Sequence, residues 1–307
     1  SNMAQSQTTY YWVGGLNSSY NTSTNWNSNL NGSGVSRTTP VATDILIFDG
    51  SNVGGTVPTT GRVATITGST NYCAQLKCIN GARINIGRSS AGSATIIING
   101  DATLNDDLVV GAIDTLTLGG TSQTSALFNY DVNIQLATGS TPPSGLISGT
   151  LYLSPLLSNV HTRSYITTTS GTSLIFANGS SCYINDSTTT SGFNSSIINT
   201  ILFKSGASLY YYSGRSPIGN NSSTQFTNFE LGSNIYYRGS NVQYTDNLPY
   251  GSSSWSGNKN YANIFIQNGS TFTSDGTFYR IGGLTIDNGC TFITHTSGAT
   301  PLLGNLV

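Results

Sequence analysis

Carboxylates and histidines are the residues of this chain best suited to acid–base chemistry, and they are few and scattered. The 307 residues include twelve acidic residues and two histidines, and Asp106-Asp107 is the only adjacent acidic pair. Glycoside hydrolysis needs two carboxylates at a defined separation, whereas neighbouring side chains on a strand point to opposite faces. Asp106 and Asp107 are therefore interpreted as turn residues between Leu104 and Leu108. No catalytic residue is predicted.

Asp44 and Asp49 bracket the apolar run of residues 45–48 and offer hard oxygen ligands. With backbone carbonyls they could hold Ca²⁺; the alternative is a simple role in the turns at the strand ends. Zinc is not expected, because no C-x-x-C pair occurs and only His161 and His295 offer nitrogen ligands. The sequence therefore predicts no metal site and no cofactor.

The four cysteines are Cys73, Cys78, Cys182 and Cys290. An even count in a secreted protein allows disulfides. However, Cys78 and Cys182 occupy inward strand positions, where a thiol acts as a small hydrophobic group. Cys73 and Cys78 are five residues apart, so on one strand they would face opposite sides and could not pair directly. Buried free thiols are the preferred interpretation.

Aromatic residues crowd the segment 210–261 and form the best candidate binding feature. Alternation along a strand places Tyr210 and Tyr212 on one face and Tyr211 on the other. Tyr211 and Tyr237 each follow a turn glycine by five residues, so they are expected at comparable positions of adjacent repeats. Exposed tyrosines could stack on sugar rings; the alternative is a structural aromatic ladder. The candidate carbohydrate-binding residues are Tyr211, Tyr237, Arg238, Tyr244 and Trp255.

These residues lie in a chain built on one repeated phrase. Two alternating apolar residues precede a turn glycine, and a further apolar residue follows it three positions later. The glycines of the clearest phrases are Gly81, Gly179, Gly206, Gly269 and Gly289. Helical periodicity is almost absent, and a phrase repeated at this spacing predicts stacked strand-rich coils. The expected fold is an all-β parallel β-helix, in which one inward position is shared by Cys78, Phe176, Phe203, Ile266 and Ile286.

The first 60 residues depart from this rhythm. They contain W-V-G-G at 12–15, N-W at 25–26 and a P-x-x-x-D spacing from Pro40 to Asp44, and they lead into the strand phrase of 73–86. This order resembles the amino-terminal part of secreted β-helix surface proteins, which are frequent in Bacteroidetes-type bacteria and in adhesin-like autotransporter passengers. The resemblance implies an extracellular, single-stranded right-handed parallel β-helix, often within a larger protein with a C-terminal secretion domain.

A β-helix has an open apolar core at each end, so its terminal repeats must be atypical. Trp12 and Trp26 offer the large apolar area that would cover the first coil. We therefore expect both indoles to be buried in an N-terminal aromatic cap.

The predicted organisation is a cap region over residues 1–60 and a parallel β-helix over 61–307. Residues 1–3 have the composition of an expression remnant, and the residues after them fit the start of a mature secreted chain. Pro- and Ser-rich segments predict longer loops near 137–170 and 238–260.

The composition limits the classes of partner that the chain is expected to bind. Only 7% of the residues are charged and the formal net charge is −1, without a basic run. Nucleic-acid binding is therefore not expected. The longest apolar runs are too short for membrane insertion. A polysaccharide or cell-surface glycan is the expected partner, and the expected location is secreted or at the cell surface.

Two functional hypotheses remain from the sequence. The first is a non-catalytic extracellular β-helix, an adhesin-like or surface structural protein that binds glycans. The alternative is a carbohydrate-active enzyme, a polysaccharide lyase or glycoside hydrolase, with a cryptic site in a groove. The scarcity of paired carboxylates favours the first.

Overall fold

The computed structural model describes the chain over residues 7–15, 18–51, 62–68, 70–88, 92–100, 106–119, 131–137, 142–153, 164–169, 171–185, 192–193, 195, 200–213, 217–218, 226–240, 242–246, 262–274 and 281–293. Apart from a three-residue 3₁₀ helix at Ser23–Asn25, the regular elements within these ranges are strands. The prediction of an all-β chain is confirmed.

The strands are short, as expected for segments between closely spaced turn glycines. In chain order they are β1 (Thr9–Trp12), β2 (Ser18–Ser19), β3 (Trp26–Asn27), β4 (Ile45–Asp49), β5 (Arg62–Ile66), β6 (Thr70–Cys73), β7 (Gln75–Ile79), β8 (Arg83–Arg88), β9 (Ser93–Ile98), β10 (Leu108–Val110), β11 (Thr115–Leu118), β12 (Asp131–Leu136), β13 (Ser144–Ile147), β14 (Thr150–Leu153), β15 (Ile166–Thr167), β16 (Ser173–Phe176), β17 (Ser181–Asn185), β18 (Ile201–Phe203), β19 (Ser208–Ser213), β20 (Thr227–Phe229), β21 (Asn234–Tyr237), β22 (Gln243–Asp246), β23 (Asn263–Ile266), β24 (Thr271–Ser274), β25 (Gly283–Ile286) and β26 (Thr291–Ile293).

These strands form four sheets. The nine-stranded sheet has the order β20-β18-β16-β13-β10-β7-β4-β1-β3, and the ten-stranded sheet has the order β2-β5-β8-β11-β14-β17-β19-β21-β23-β25. A four-stranded sheet has the order β15-β12-β9-β6, and a three-stranded sheet has the order β22-β24-β26. Pairing between the named strands is parallel throughout, except between β1 and β3.

The chain visits the sheets in a repeating circuit, which we define as one strand of the nine-stranded sheet and the strands that follow it in the next sheets. One circuit is β7, β8 and β9, and the next is β10, β11 and β12. Each strand of the second circuit pairs with the corresponding strand of the first. This mostly parallel, circuit-on-circuit pairing is compatible with a β-solenoid.

The core consists of rows of inward side chains aligned by this register. In the nine-stranded sheet the rings of Phe176 and Phe203 stack at 4.2 Å between centroids, and those of Phe203 and Phe229 at 5.0 Å. Burial of each such side chain is worth about 1.5–3 kcal/mol. The complete row is Phe48, Cys78, Val110, Ile147, Phe176, Phe203 and Phe229.

One part of the expected alignment is wrong. The repeated phrase placed Ile266 and Ile286 in the row of Phe176, but both belong to the ten-stranded sheet, where Ile266 pairs with Tyr237 and Ile286 pairs with Ile266. The same turn phrase thus joins the nine- and ten-stranded sheets early in the chain and the ten- and three-stranded sheets later. The phrase describes a corner between strands and does not specify which corner.

The N-terminal aromatic residues are buried as predicted. Trp12 and Trp26 are 1% and 0% exposed, and their rings meet edge to face at 5.0 Å. Phe48 of the next circuit contacts both indoles. The antiparallel strand β3 covers the outer edge of β1, which protects an otherwise open sheet edge. Parallel pairing between circuits begins within the first 60 residues, the region predicted as the cap, because β4 runs in register with β7.

The predicted loop excursions are partly wrong. Within 137–170, β13 and β14 are ordinary strands of the two large sheets, and β15 belongs to the four-stranded sheet. Within 238–260, β22 pairs with β24. Prolines and serines here interrupt the sequence pattern without removing the strands between them. Residues 154–163 and 247–260 lie outside the described residues.

Candidate functional site

Three of the predicted carbohydrate-binding residues lie in the core, and this part of the prediction is wrong. Tyr211, Tyr237 and Tyr244 are 2%, 0% and 4% exposed. The rings of Tyr211 and Tyr237 meet edge to face at 5.8 Å, and Tyr244 contacts both. Tyr211 and Tyr237 do occupy paired positions of adjacent circuits, as predicted. They form the interior aromatic ladder that was the alternative, so a glycan cannot reach their rings.

Tyr244 has a specific role inside the core. Strand β19 carries an extra residue, because Ile184 pairs with Tyr211 whereas Asn185 pairs with Ser213. The Tyr244 hydroxyl lies 2.7 Å from the carbonyl oxygen of Tyr212, the bulged residue, and accepts the Gly239 N–H at 2.6 Å. Burial raises the pKa of this phenol well above its usual value. Tyr244 therefore supplies the hydrogen-bond donor that the bulged backbone needs in a dry interior.

Arg238 and Trp255 are the other two residues predicted to bind carbohydrate. Arg238 is half-buried on the outer side of the ten-stranded sheet, and its guanidinium carbon lies 5.5 Å from the ring centroid of Tyr210. This is a cation–π contact. Trp255 lies outside the described residues.

The surface that faces outward beside Arg238 is a continuous stack of aromatic rings, which we call the outer ladder. It consists of Tyr152, Tyr183, Tyr210, Tyr236 and Phe265, one from each of five consecutive strands of the ten-stranded sheet. The successive ring centroids are 4.5, 4.5, 4.6 and 4.4 Å apart, and neighbouring planes are 9–18° from parallel. Each ring is half-buried and reaches solvent.

The stacking decides which atoms of the outer ladder a ligand can touch. Each internal ring has a neighbour on both faces at van der Waals distance, so a sugar ring cannot stack there. The ring edges and the hydroxyls of the four tyrosines face outward instead. Desolvation by burial, then the neighbouring Tyr152, Tyr210 and Tyr212, raises the pKa of Tyr183 to about 12. The Tyr183 phenol therefore stays neutral near pH 7, and like any phenol it can act as a hydrogen-bond donor and acceptor.

Polar side chains flank the outer ladder on both sides. On one side the Asn263 amide donates to the Asn234 side-chain oxygen at 3.1 Å, and the Asn234 amide contacts the Ser208 hydroxyl at 3.4 Å. On the other side the Ser213 hydroxyl donates to Asn185 at 2.7 Å. The outer face thus combines apolar ring edges with rows of hydroxyls and amides, the groups that recognise sugar hydroxyls.

The aspartates considered for calcium are engaged in structural contacts. Asp44 accepts from the Arg37 Nε at 2.7 Å, and both side chains are 3% exposed. Asp49 accepts from the backbone and hydroxyl of Ser51 and from the Asn80 amide. These contacts are the turn and strand-end roles that were the alternative to calcium binding.

The adjacent pair Asp106-Asp107 directly precedes β10 and lies outside the strands, and Leu104, on the other side of the predicted turn, lies outside the described residues. Asp106 has φ of 68°, and its N–H donates to the Ser144 hydroxyl at 3.0 Å. Asp107 is buried and accepts from the Gln75 amide at 3.1 Å and from the Ser144 N–H at 3.0 Å. Within the described ranges, no three His, Cys, Asp or Glu side chains converge to hold a metal ion.

All four cysteines are free thiols, and three of them are buried as predicted. Cys73, Cys78 and Cys182 are 0% exposed, whereas Cys290 is half-buried. Burial raises the pKa of each of the three enclosed thiols and is the largest cause of the shift. The pKa of Cys73 is raised to about 12. A thiol that keeps its proton in an apolar site is a packing group and is not reactive.

Sequence reasoning missed Tyr152, Tyr183 and Phe265. Each lies between two inward apolar residues of a strand, as in Leu151-Tyr152-Leu153. The available signal was the strand that follows each turn, in which the middle residue faces outward. Comparison of these strands with one another would have found the outer ladder.

In comparisons with known proteins, no protein family, curated protein or solved structure matches the chain. In the described part of the chain, no helix has the length and apolar character needed to cross a bilayer.

Proposed function

We propose that this chain is a single-stranded right-handed parallel β-helix that serves as a non-catalytic, extracellular, adhesin-like scaffold and binds glycans along its outer ladder. The parallel registers of successive circuits support the β-helix. The resemblance of the N-terminal block to secreted surface proteins supports the location. The outer ladder is the observation that carries the glycan-binding function.

The outer ladder is suited to an extended polymer because it repeats one hydroxyl-bearing ring per circuit. Tyr152, Tyr183, Tyr210 and Tyr236 lie in a straight register, so a chain of sugars along the ladder would meet equivalent groups at successive circuits. Multiple weak contacts at fixed spacing add up when one ligand spans them. Recognition would use hydrogen bonds from ring edges and flanking amides, and not the stacking of sugars on ring faces.

A scaffold is favoured over an enzyme because the described carboxylates of Asp107 and Asp44 already have structural partners. Asp107 is held by Gln75 and by the Ser144 backbone, and Asp44 is held by Arg37. A hydrolase would need two such groups open to substrate at a fixed separation. The outer ladder itself contains no acidic side chain.

The test is retention and cleavage on a panel of neutral and acidic polysaccharides, with affinity electrophoresis for binding and an assay of new reducing or unsaturated ends for cleavage. The purified chain is expected to be retarded by at least one polymer and to release no ends. Replacement of Tyr183 and Tyr210 by alanine should weaken binding about tenfold or more, since each lost hydrogen bond contributes about 0.5–1.5 kcal/mol.

Tyr72→Ala is the matched control. Tyr72 is 48% exposed but belongs to β6 in the four-stranded sheet, away from the outer ladder. Its removal should leave binding unchanged. Equal loss of binding in both variants, or binding unaffected by the ladder variant, would contradict the proposed site. Release of sugar ends would favour the carbohydrate-active enzyme instead.

A further inference from the structure

We infer that the glycan bound by the outer ladder is an acidic polysaccharide whose carboxylate groups are recognised by Arg238. This inference rests on the proposed glycan-binding function and adds the chemical class of the ligand. It follows from the position of one cation, Arg238, beside a ladder of uncharged aromatic side chains.

Arg238 lacks a carboxylate partner in the described part of the chain. Its guanidinium carbon lies 5.5 Å from the centroid of the Tyr210 ring, and its Nε is buried without a hydrogen-bond partner. By contrast, the Arg37 Nε donates to the Asp44 carboxylate at 2.7 Å, and Arg88 donates to the carbonyls of Gly68 and Ser93. A guanidinium fixed by an aromatic ring but left without an anion is equipped to receive one.

Among the described residues, Arg238 is the cation that lies over a ring of the outer ladder. Burial and the neighbouring Tyr210 raise the pKa of Tyr236, and Arg238 lowers it by less, so the phenol stays protonated at neutral pH. The following circuits place Gln267 and then Asp287 at the position equivalent to Arg238. The acidic side chain of this row is thus two circuits away.

The chemistry of these groups selects a carboxylate. The guanidinium presents parallel N–H groups that match the two oxygens of a carboxylate. Adjacent phenol hydroxyls can donate to the same oxygens or to neighbouring sugar hydroxyls. Because the ring faces are covered by stacking, the apolar face of a sugar cannot pack against them. The edge of the ladder therefore favours a uronate-containing chain that lies along the stack of circuits.

The experiment compares polygalacturonate with its fully methyl-esterified form of the same length, measured by isothermal titration calorimetry with the intact chain. Esterification removes the charge and keeps the sugar backbone. The acidic polymer should bind about tenfold tighter or more, because hydrogen bonds to charged groups are the stronger ones. Arg238→Gln should abolish this preference, whereas Arg238→Lys should retain part of it, since lysine keeps the charge but loses the paired donors.

Lys77→Gln is the control variant, because Lys77 is a half-buried cation that faces outward from β7 in the nine-stranded sheet. It should leave the preference intact. If the ester binds as well as the acid, and Arg238→Gln changes neither affinity, the acidic class is wrong while glycan binding stands. If neither polymer binds and the polysaccharide panel is also negative, the inference and the proposed function both fail.

Discussion

Tyr210 and Tyr211 are neighbours in β19, yet their side chains belong to different parts of the molecule. Tyr210 stacks outside the sheet on Tyr183, with ring centroids 4.5 Å apart and planes 9° from parallel. Tyr211 is 2% exposed and meets Tyr237 edge to face inside the core. The alternation of a strand thus separates two aromatic ladders, one that stabilises the interior and one that faces solvent.

The two tyrosines are expected to differ in their contribution to stability. Tyr211→Ala should lower the free energy of unfolding by about 3–5 kcal/mol, because it leaves a cavity between Tyr237 and Tyr244. Tyr210→Ala removes a half-buried ring from a stack and should cost about 0.5–1.5 kcal/mol. Urea unfolding followed by circular dichroism measures both. Equal costs would contradict the division into an inner and an outer ladder.

The buried ion pair between Arg37 and Asp44 is expected to hold the N-terminal segment. Asp44→Ala should destabilise the protein by about 3–5 kcal/mol, because it leaves the Arg37 guanidinium buried without its partner. Thermal unfolding measures this loss. The pair Lys204 and Glu230 has the same 2.7 Å separation but side chains 42% and 36% exposed. Lys204→Ala should therefore cost only about 0–1 kcal/mol, and a comparable loss in both variants would contradict this account.

Thiol accessibility should distinguish the cysteines. In the native protein at pH 8 a thiol reagent should modify Cys290 first, whereas Cys73, Cys78 and Cys182 should react only after unfolding, because they are fully enclosed. Mass spectrometry of the digested protein identifies the modified residues. Rapid native labelling of any of the three enclosed thiols would contradict the prediction.

Because the pKa values of these three buried thiols are raised, we expect the free energy of unfolding to decrease at alkaline pH. Their folded-state pKa values lie above the unfolded value of about 8.5. Below that pH both states keep the protons and the thiols add no pH dependence. Above it the unfolded state loses protons while the folded state keeps them, so the free energy of unfolding decreases. The urea midpoint should therefore be lower at pH 10 than at pH 7, and less so in a Cys78→Ala variant compared with its own value at pH 7.

Close packing between turns should make Gly149 more sensitive to substitution than Gly179. A Cβ on Gly149 would lie 2.1 Å from the Gly111 carbonyl oxygen and 2.4 Å from that of Asp114, so the backbone would have to move. A Cβ on Gly179 would meet nothing within 4 Å, and only its φ of +79° opposes a side chain. Gly179→Ala should cost about 1–2 kcal/mol, and Gly149→Ala should cost more. Thermal unfolding of the two variants tests this order, and the reverse order would contradict it.

Much of the fold could be predicted from local sequence. Alternating apolar residues predicted the strands and their inward side chains, and the indoles of Trp12 and Trp26 were correctly expected in the interior. Asp106 and Asp107 were correctly placed outside the strands. These predictions depend on a few neighbouring residues, because strand alternation and turn geometry are local properties of the backbone.

The sequence by itself therefore determined an all-β chain of short strands, its turns and most of its core. Only the tertiary structure decided which strands pair, because parallel partners are separated by turns and loops of uneven length. That pairing moved Ile266 out of the row of Phe176 and buried Tyr211. It also brought Tyr183 of one circuit against Tyr210 of the next, and so created a surface that no single segment of the sequence contains.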